Sequence, residues 1–179
     1  YKQLKKYAIS ANKGIMFGSF LKTNSQLFNC SILISKKSNQ YYAKEKLMPF
    51  GEYLPFRSFI EKWVPKQLQF KDLNKGKNNQ PIQFNNINLK PKICLEGIYE
   101  PFNKHNSNIS IIIANTAWFN ESSAGKKLKQ FAQVHAKSFA MPTIISTNFG
   151  ESAIINKNGT IIQTFNDVKA GILTHKIPI

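Results

Sequence analysis

Acidic residues, arginine, cysteine and long apolar runs are all scarce in this chain of 179 residues, and each scarcity removes a class of protein. Nine Asp and Glu stand against 25 Lys and Arg, a formal net charge of +16 that favours anionic partners. Nucleic acid is the first such partner to consider, yet Arg57 is the sole arginine, and base readout leans on the bidentate guanidinium fork that lysine lacks. The lysines are scattered along the chain, so an anionic membrane surface fits them at least as well, and no specific nucleic-acid partner is expected. A solvated basic face with no partner is the plainer account of the same composition. Two cysteines, Cys30 and Cys94, are too few for a disulfide scaffold, and neither sits in a CxxC or Cys/His ligand spacing, so no structural metal is expected. No apolar run approaches the roughly 18 residues that span a bilayer. The longest, Ile109 to Ala114, is interrupted by Ser110. HExxH, GxSxG, Walker and GxGxxG patterns are missing too, which leaves no cofactor-binding motif.

What is present suits a globular chain. Hydrophobic residues make up 42% and aromatics 12%, enough to offset the entropy of ordering, and the length fits one domain over residues 1–179. Tyr1 to Tyr7 reads like the middle of a helix, so the sequence is expected to be a piece of something longer. Two apolar runs, Gly14 to Phe20 and Leu27 to Ile34, flank a polar step and predict a hairpin. Residues 41–54 carry Pro49, Gly51 and several charges and read as loop. Phe56 to Val64 predicts a short helix, with Phe59, Ile60, Trp63 and Val64 on one side and Pro65 ending it, before an exposed tract from Lys71 to Gln80. Lys92 to Leu95 and Ile109 to Ala114 read as buried strands. Gly125 to Ala140 places Leu128, Phe131, Ala132, His135 and Phe139 at helical spacing. Strands are expected at 143–146, 152–155 and 160–165, the last two joined by the Asn158-Gly159 turn, with one more at 170–175. Strands and helices in this order predict a layered α/β domain with a mixed sheet.

Three segments carry residues capable of chemistry. Cys94 closes a short apolar strand and is followed by Leu95, Glu96 and Gly97, a setting that can hold a sulfur still and aim backbone N–H groups at an oxyanion. A buried free cysteine is nevertheless more often packing than nucleophile, and Cys30, mid-strand with no charged neighbour, reads as structural. The segment Tyr42 to Pro55 is stiffened by Pro49, Gly51 and Pro55 and anchored by Phe50 and Tyr53, so it presents Lys44 and Glu52 with little freedom. An ordinary anchored loop with solvated charges would look similar. Asn115, Thr116, Ala117, Trp118 and Phe119 leave the Ile109 strand as a polar step followed by an aromatic pair, which can line a pocket or simply cap the core. A Cys/His pair using His135 is conceivable, but a lone His on the apolar side of a helix is usually a packed core residue.

Together, Lys44-x-x-Leu47-Met48-Pro49-Phe50-Gly51-Glu52-Tyr53-x-Pro55, Ile93-Cys94-Leu95-Glu96 and Asn115-x-Ala117-Trp118-Phe119 resemble the apolipoprotein N-acyltransferase branch of the nitrilase, or carbon-nitrogen hydrolase, superfamily. The resemblance implies a nitrilase-like α-β-β-α sandwich, four-layered when complete and partial here, without its N-terminal part and flanking transmembrane helices. It implies a triad of Glu, Lys and Cys, of which Lys44 and Cys94 are present. The glutamate would precede Tyr1, since the first acidic residue is Glu45. Glu52, Glu96, Leu95, Tyr53, Asn115 and Trp118 become supporting residues. Thr116 stands where the superfamily usually carries Asp, and Leu95 where the acyltransferases usually carry Tyr. The implied activity is transfer of a fatty acyl group from a phospholipid to an apolipoprotein through a Cys94 thioester. The implied location is the outer, periplasmic face of the bacterial inner membrane. Rival readings are a soluble amidase that hydrolyses the same thioester, and an inactive basic fragment that only binds anionic membranes.

Overall fold

In the computed structural model, the described residues are 1–65, 71–77, 80–99, 106–117, 123–166 and 170–178. Three antiparallel strands, β1 (Ile15–Thr23), β2 (Gln26–Ile34) and β3 (Asn39–Ala43), form one sheet in the order β1-β2-β3. The predicted hairpin is present, with strands longer than the apolar runs. Thr23 pairs with Gln26, and Asn24 takes the left-handed φ of 51° that a two-residue turn requires. The loop expected to begin at residue 41 begins later, because Asn39–Ala43 pairs with β2. Cross-strand bonding outweighs the charges just downstream, and Tyr42 turns into the core.

The second sheet has six strands in the order β4-β5-β6-β7-β8-β9: Ile82–Phe84, Ile87–Ile93, Ile109–Ala114, Thr143–Thr147, Glu151–Ile155 and Ile161–Asn166. β5, β6 and β7 run parallel and the flanking pairs antiparallel, so the sheet is mixed. Alternation along β6 divides its side chains between two cores. Ile109 and Ile111 join Leu33, Tyr42, Ile82, Leu89 and Ile93 between the sheets. Ile112 and Ala114 meet helix α3 (Ala124–Ser138) through Leu128, Ala132 and Ala136. The sheets approach closely at Gly18, where an added Cβ would lie 3.2 Å from Ile113 Cγ2. Helix α1 (Lys2–Ser10) buries Ala8 and packs on β2, whose Ile34 faces away from Leu33. The layers therefore run α1, first sheet, second sheet, α3.

Several expectations change. The buried stripe of α3 is Leu128, Ala132 and Ala136, whereas Phe131 is 41% exposed. Small residues let the helix lie close on the sheet. Residues 170–178 form no strand. β4, at Ile82–Phe84, is too short to show as an alternating run. Helix α2 (Arg57–Ile60) and a 3₁₀ turn at Glu61–Trp63 occupy the predicted short helix, but their apolar side faces solvent: Phe56, Phe59 and Trp63 are 79%, 74% and 80% exposed. Arg57, hydrogen-bonded to both Asp72 oxygens at 3.2 and 2.5 Å, ties this segment to the tract beyond it. No helix among the described residues is long and apolar enough to cross a membrane.

Candidate active site

β5 ends at Ile93, one residue before the cysteine. Cys94 and Leu95 belong to a 3₁₀ turn, Cys94–Gly97, and not to the strand the sequence suggested. Cys94 has φ +52°, a left-handed conformation that costs a non-glycine residue about 1–3 kcal/mol and persists only where its surroundings enforce it. Two neighbours do so. Gly97 lies so near the helix layer that a Cβ would come within 2.7 Å of Leu128 Cδ1. Glu96 fixes the other side. The turn closes with Ile98 N donating to Leu95 O at 3.0 Å. Cys94 is half-buried and touches both hydrophobic cores, so it stands at the seam between the layers.

Glu96 is 2% exposed and its carboxylate accepts four hydrogen bonds. Oε1 takes the Tyr42 hydroxyl at 3.0 Å and the backbone N–H groups of Glu45 and Lys46 at 2.7 and 3.0 Å. Oε2 takes Ile93 N–H at 2.9 Å. One buried carboxylate thus fastens the segment after Lys44 to the strand that delivers Cys94. A charged acceptor buried with this many donors is well compensated for its desolvation.

Lys44 follows β3 and extends the ladder, its N–H donating to Asn29 O at 2.8 Å. Its side chain is 2% exposed, and Nζ pairs with Glu52 Oε2 at 2.6 Å. Met48 N–H donates to the same oxygen at 2.7 Å, and Asn29 Nδ2 donates to Oε1 at 2.6 Å. Burial pushes the Cys94 thiol above its ordinary value. The Lys44 ammonium and the Leu95 N–H pull it down, and Glu52 and Glu96 push it up. Lys44 therefore lies within electrostatic reach of the sulfur, but burial wins, and the resting thiol is protonated. Burial alone drives Cys30, which is fully buried, up to about 11.

Asn115 lies at the end of β6, beside the end of β5. Its Oδ1 accepts from Ala117 N–H at 3.2 Å and Asn148 Nδ2 at 2.9 Å. Asn148 Oδ1 accepts from Thr116 N–H at 3.2 Å, and the Thr116 hydroxyl donates to Phe149 O. Three parallel strands thus bring Cys94, Asn115 and Asn148 to one end of the sheet, where ligands bind in open α/β folds. Trp118 lies outside the described residues. The Tyr53 ring sits 5.8 Å from Lys75 Nζ. His135 lies between Phe131 and Phe139, tilted to the first and edge-on to the second, with ring centroids 6.4 and 6.1 Å away.

The carbon-nitrogen hydrolase model matches residues 1–179. The chain belongs to the carbon-nitrogen hydrolase family. Among curated relatives, it is 29% identical to the apolipoprotein N-acyltransferase of Haemophilus ducreyi, over 98% of this chain and 37% of that protein. It is 34% identical to that of Aquifex aeolicus, over 74% of this chain and 30% of that protein. The chain therefore spans about a third of the length of these relatives. Among solved structures, XC1258 of Xanthomonas campestris, a CN-hydrolase superfamily protein with an arsenic adduct in its active site, superposes with a TM-score of 0.73. It is 15% identical and covers 93% of this chain and 63% of that one, a likeness of fold.

Within this carbon-nitrogen hydrolase fold, two residues of the site escaped the sequence reading. Asn29 and Tyr42 hold Glu52 and Glu96 from the first sheet. The signal available for Asn29 was a polar amide interrupting the run Leu27 to Ile34. Tyr42 offered only the adjacent tyrosines in front of Lys44.

Proposed function

We propose that this domain, residues 1–179 of a longer protein, transfers a fatty acyl group from a membrane phospholipid to the amino-terminal, lipid-modified cysteine of apolipoproteins. Its acyl carrier is Cys94. The observation that carries the reading is a thiol held in a strained turn just past the end of β5, within electrostatic reach of the buried Lys44 ammonium. The similarity to apolipoprotein N-acyltransferases supplies the substrate class.

The buried thiol is protonated, so the first step requires a base. Glu96 is saturated with donors and Glu52 is committed to Lys44, Met48 and Asn29. The base is therefore assigned to the glutamate that the family resemblance sets ahead of Tyr1. Once deprotonated, the sulfur attacks an ester carbonyl. Lys44 and the Leu95 N–H stabilise the oxyanion, and the C–O bond breaks as the base returns its proton to the departing lysophospholipid. The acceptor amine then attacks the thioester carbonyl, losing its proton to the base, and the C–S bond breaks to regenerate the thiol. Loss of one oxyanion donor costs roughly 3 kcal/mol in comparable sites. Thr116 and Leu95 mark substrate positioning particular to this chain.

The partner surface is an anionic bilayer on the outer face of the bacterial inner membrane. Exposed Phe56, Phe59 and Trp63, with Lys62 Nζ 5.7 Å from the Trp63 ring, have the aromatic and basic make-up of an interfacial segment. The test is mass spectrometry of the intact protein incubated with phospholipid. A fatty-acyl mass gain on the Cys94 peptide, discharged by a lipid-modified N-terminal cysteine peptide and absent in Cys94→Ala, is the expected result. Acylation that persists in Cys94→Ala overturns it, and discharge by water alone at the same rate would favour an amidase.

A further inference from the structure

Asn29 sits where the fold does not ask for it. Asparagine is a poor strand former, and here it interrupts an apolar run between Phe28 and Cys30. A residue that breaks the local rule without a packing gain points to work at a site. Its backbone carbonyl accepts Lys44 N–H at 2.8 Å, which sets Asn29 directly across from Lys44, next to the Cys30–Ala43 pair and two residues along from Ser31–Tyr42, on the same face as the latter. Directly opposed residues of an antiparallel pair share a face. Tyr42 points into the inter-sheet core, so Asn29 and Lys44 point the same way, toward the second sheet and Cys94.

We propose that Asn29 is a positioning residue for the Lys44 and Cys94 pair, acting through Glu52, which it confines to an anchoring role. Its amide donates to Glu52 Oε1 at 2.6 Å, while Lys44 Nζ and Met48 N–H hold Oε2 at 2.6 and 2.7 Å. Three donors at three directions leave the carboxylate one orientation. That orientation fixes the ammonium, which in turn pulls the thiol down against burial. An amide is the suitable group. It donates a charge-assisted hydrogen bond to Glu52 without placing a second cation beside Lys44. It also keeps Glu52 from turning toward the sulfur and taking its proton. A leucine of similar volume would leave Oε1 bare, and an aspartate of the same shape would repel Glu52 and draw the ammonium away.

The proposal rests on Cys94 being the reacting thiol, and its test uses the intact protein without lipid. Iodoacetamide labelling of Cys94 is followed against pH by peptide mass spectrometry in the wild type, Asn29→Leu and Asn29→Asp. Cys30, fully buried, stays unlabelled while the fold is intact and serves as the internal control. Both variants are expected to move the Cys94 labelling midpoint upward by about one pH unit, which is roughly tenfold slower labelling at a fixed pH below it. A profile within twofold of the wild type, with Cys30 protected, overturns the proposal and leaves the acyl-carrier reading standing. If the leucine variant loses Cys30 protection, the isosteric aspartate decides. Lost protection in both would make Asn29 a residue of fold stability and overturn the proposal as well. Wild-type Cys94 that labels no faster than Cys30 would remove the acyl-carrier reading and this inference together.

Discussion

Replacing Glu96 with glutamine keeps the side-chain shape and removes half of its accepting capacity. The carboxylate receives the Tyr42 hydroxyl, Glu45 N–H and Lys46 N–H on one oxygen and Ile93 N–H on the other. In the better of two orientations, the glutamine oxygen keeps the three-donor position and its NH₂ faces Ile93 N–H, donor against donor. That loses one hydrogen bond to a charged group, worth about 1.5–3 kcal/mol. The three retained bonds lose their charge assistance, about half their strength. With Glu96 2% exposed, water cannot replace what is lost; the gross sum of about 4–7 kcal/mol is offset in part because glutamine buries no charge, which leaves about 3–5 kcal/mol. The cost is local, so the assay is amide hydrogen exchange in the intact protein at Glu45, Lys46 and Ile93. Exchange at these amides should accelerate by a factor between about 10² and 10⁴, while helix α1 stays near its wild-type rate. Acceleration below tenfold, less than about 1.4 kcal/mol, would mean that Glu96 does not fasten the Lys44 segment to the cysteine strand.

Two further outcomes follow from burial. Gly97→Ala would bring a Cβ within 2.7 Å of Leu128 Cδ1 and 3.2 Å of Ile112. It should destabilise the domain by about 1–3 kcal/mol and lower its thermal midpoint by about 3–10 °C, with slower Cys94 alkylation; an unchanged midpoint would refute the close approach. The Cys30 thiol, pushed up to about 11 from 9.0, remains protonated in the fold where the unfolded chain ionises. Its contribution is thus whole below pH 9 and lost as pH rises toward 11, roughly 3 kcal/mol in all, so urea titrations of Cys30→Ala should lack that alkaline decline.

The layered fold and its mixed sheet were legible because periodicity reports burial. Ile109 to Ala114 alternates between two cores, and the Leu27 run places Leu33 in the core between the sheets. Where tertiary contacts decide, the sequence pattern misled. Phe131 shares a helix side with Leu128 yet remains 41% exposed, because the stripe that meets the sheet is made of alanines. The aromatic side of the 56–64 segment has a core-like pattern and faces solvent, and Ala170 to His175, expected as a strand, forms none. At the site, Lys44, Cys94, Glu52 and Glu96 stood out through their motif, because those side chains are charged or nucleophilic. Asn29 and Tyr42 lie in other strands, and only the sheet register brings them within reach of Glu52 and Glu96. A single sequence carries no such register.

The mirror-image backbone twist at position 94 also limits what chemistry this scaffold can be taught. Glycine adopts that conformation freely, asparagine readily, and serine at the same cost as cysteine, whereas a threonine would set its forked side chain against the backbone at a higher one. Exchanging sulfur for oxygen is thus a change of one atom here, while a branched alcohol at the same place would demand a different loop.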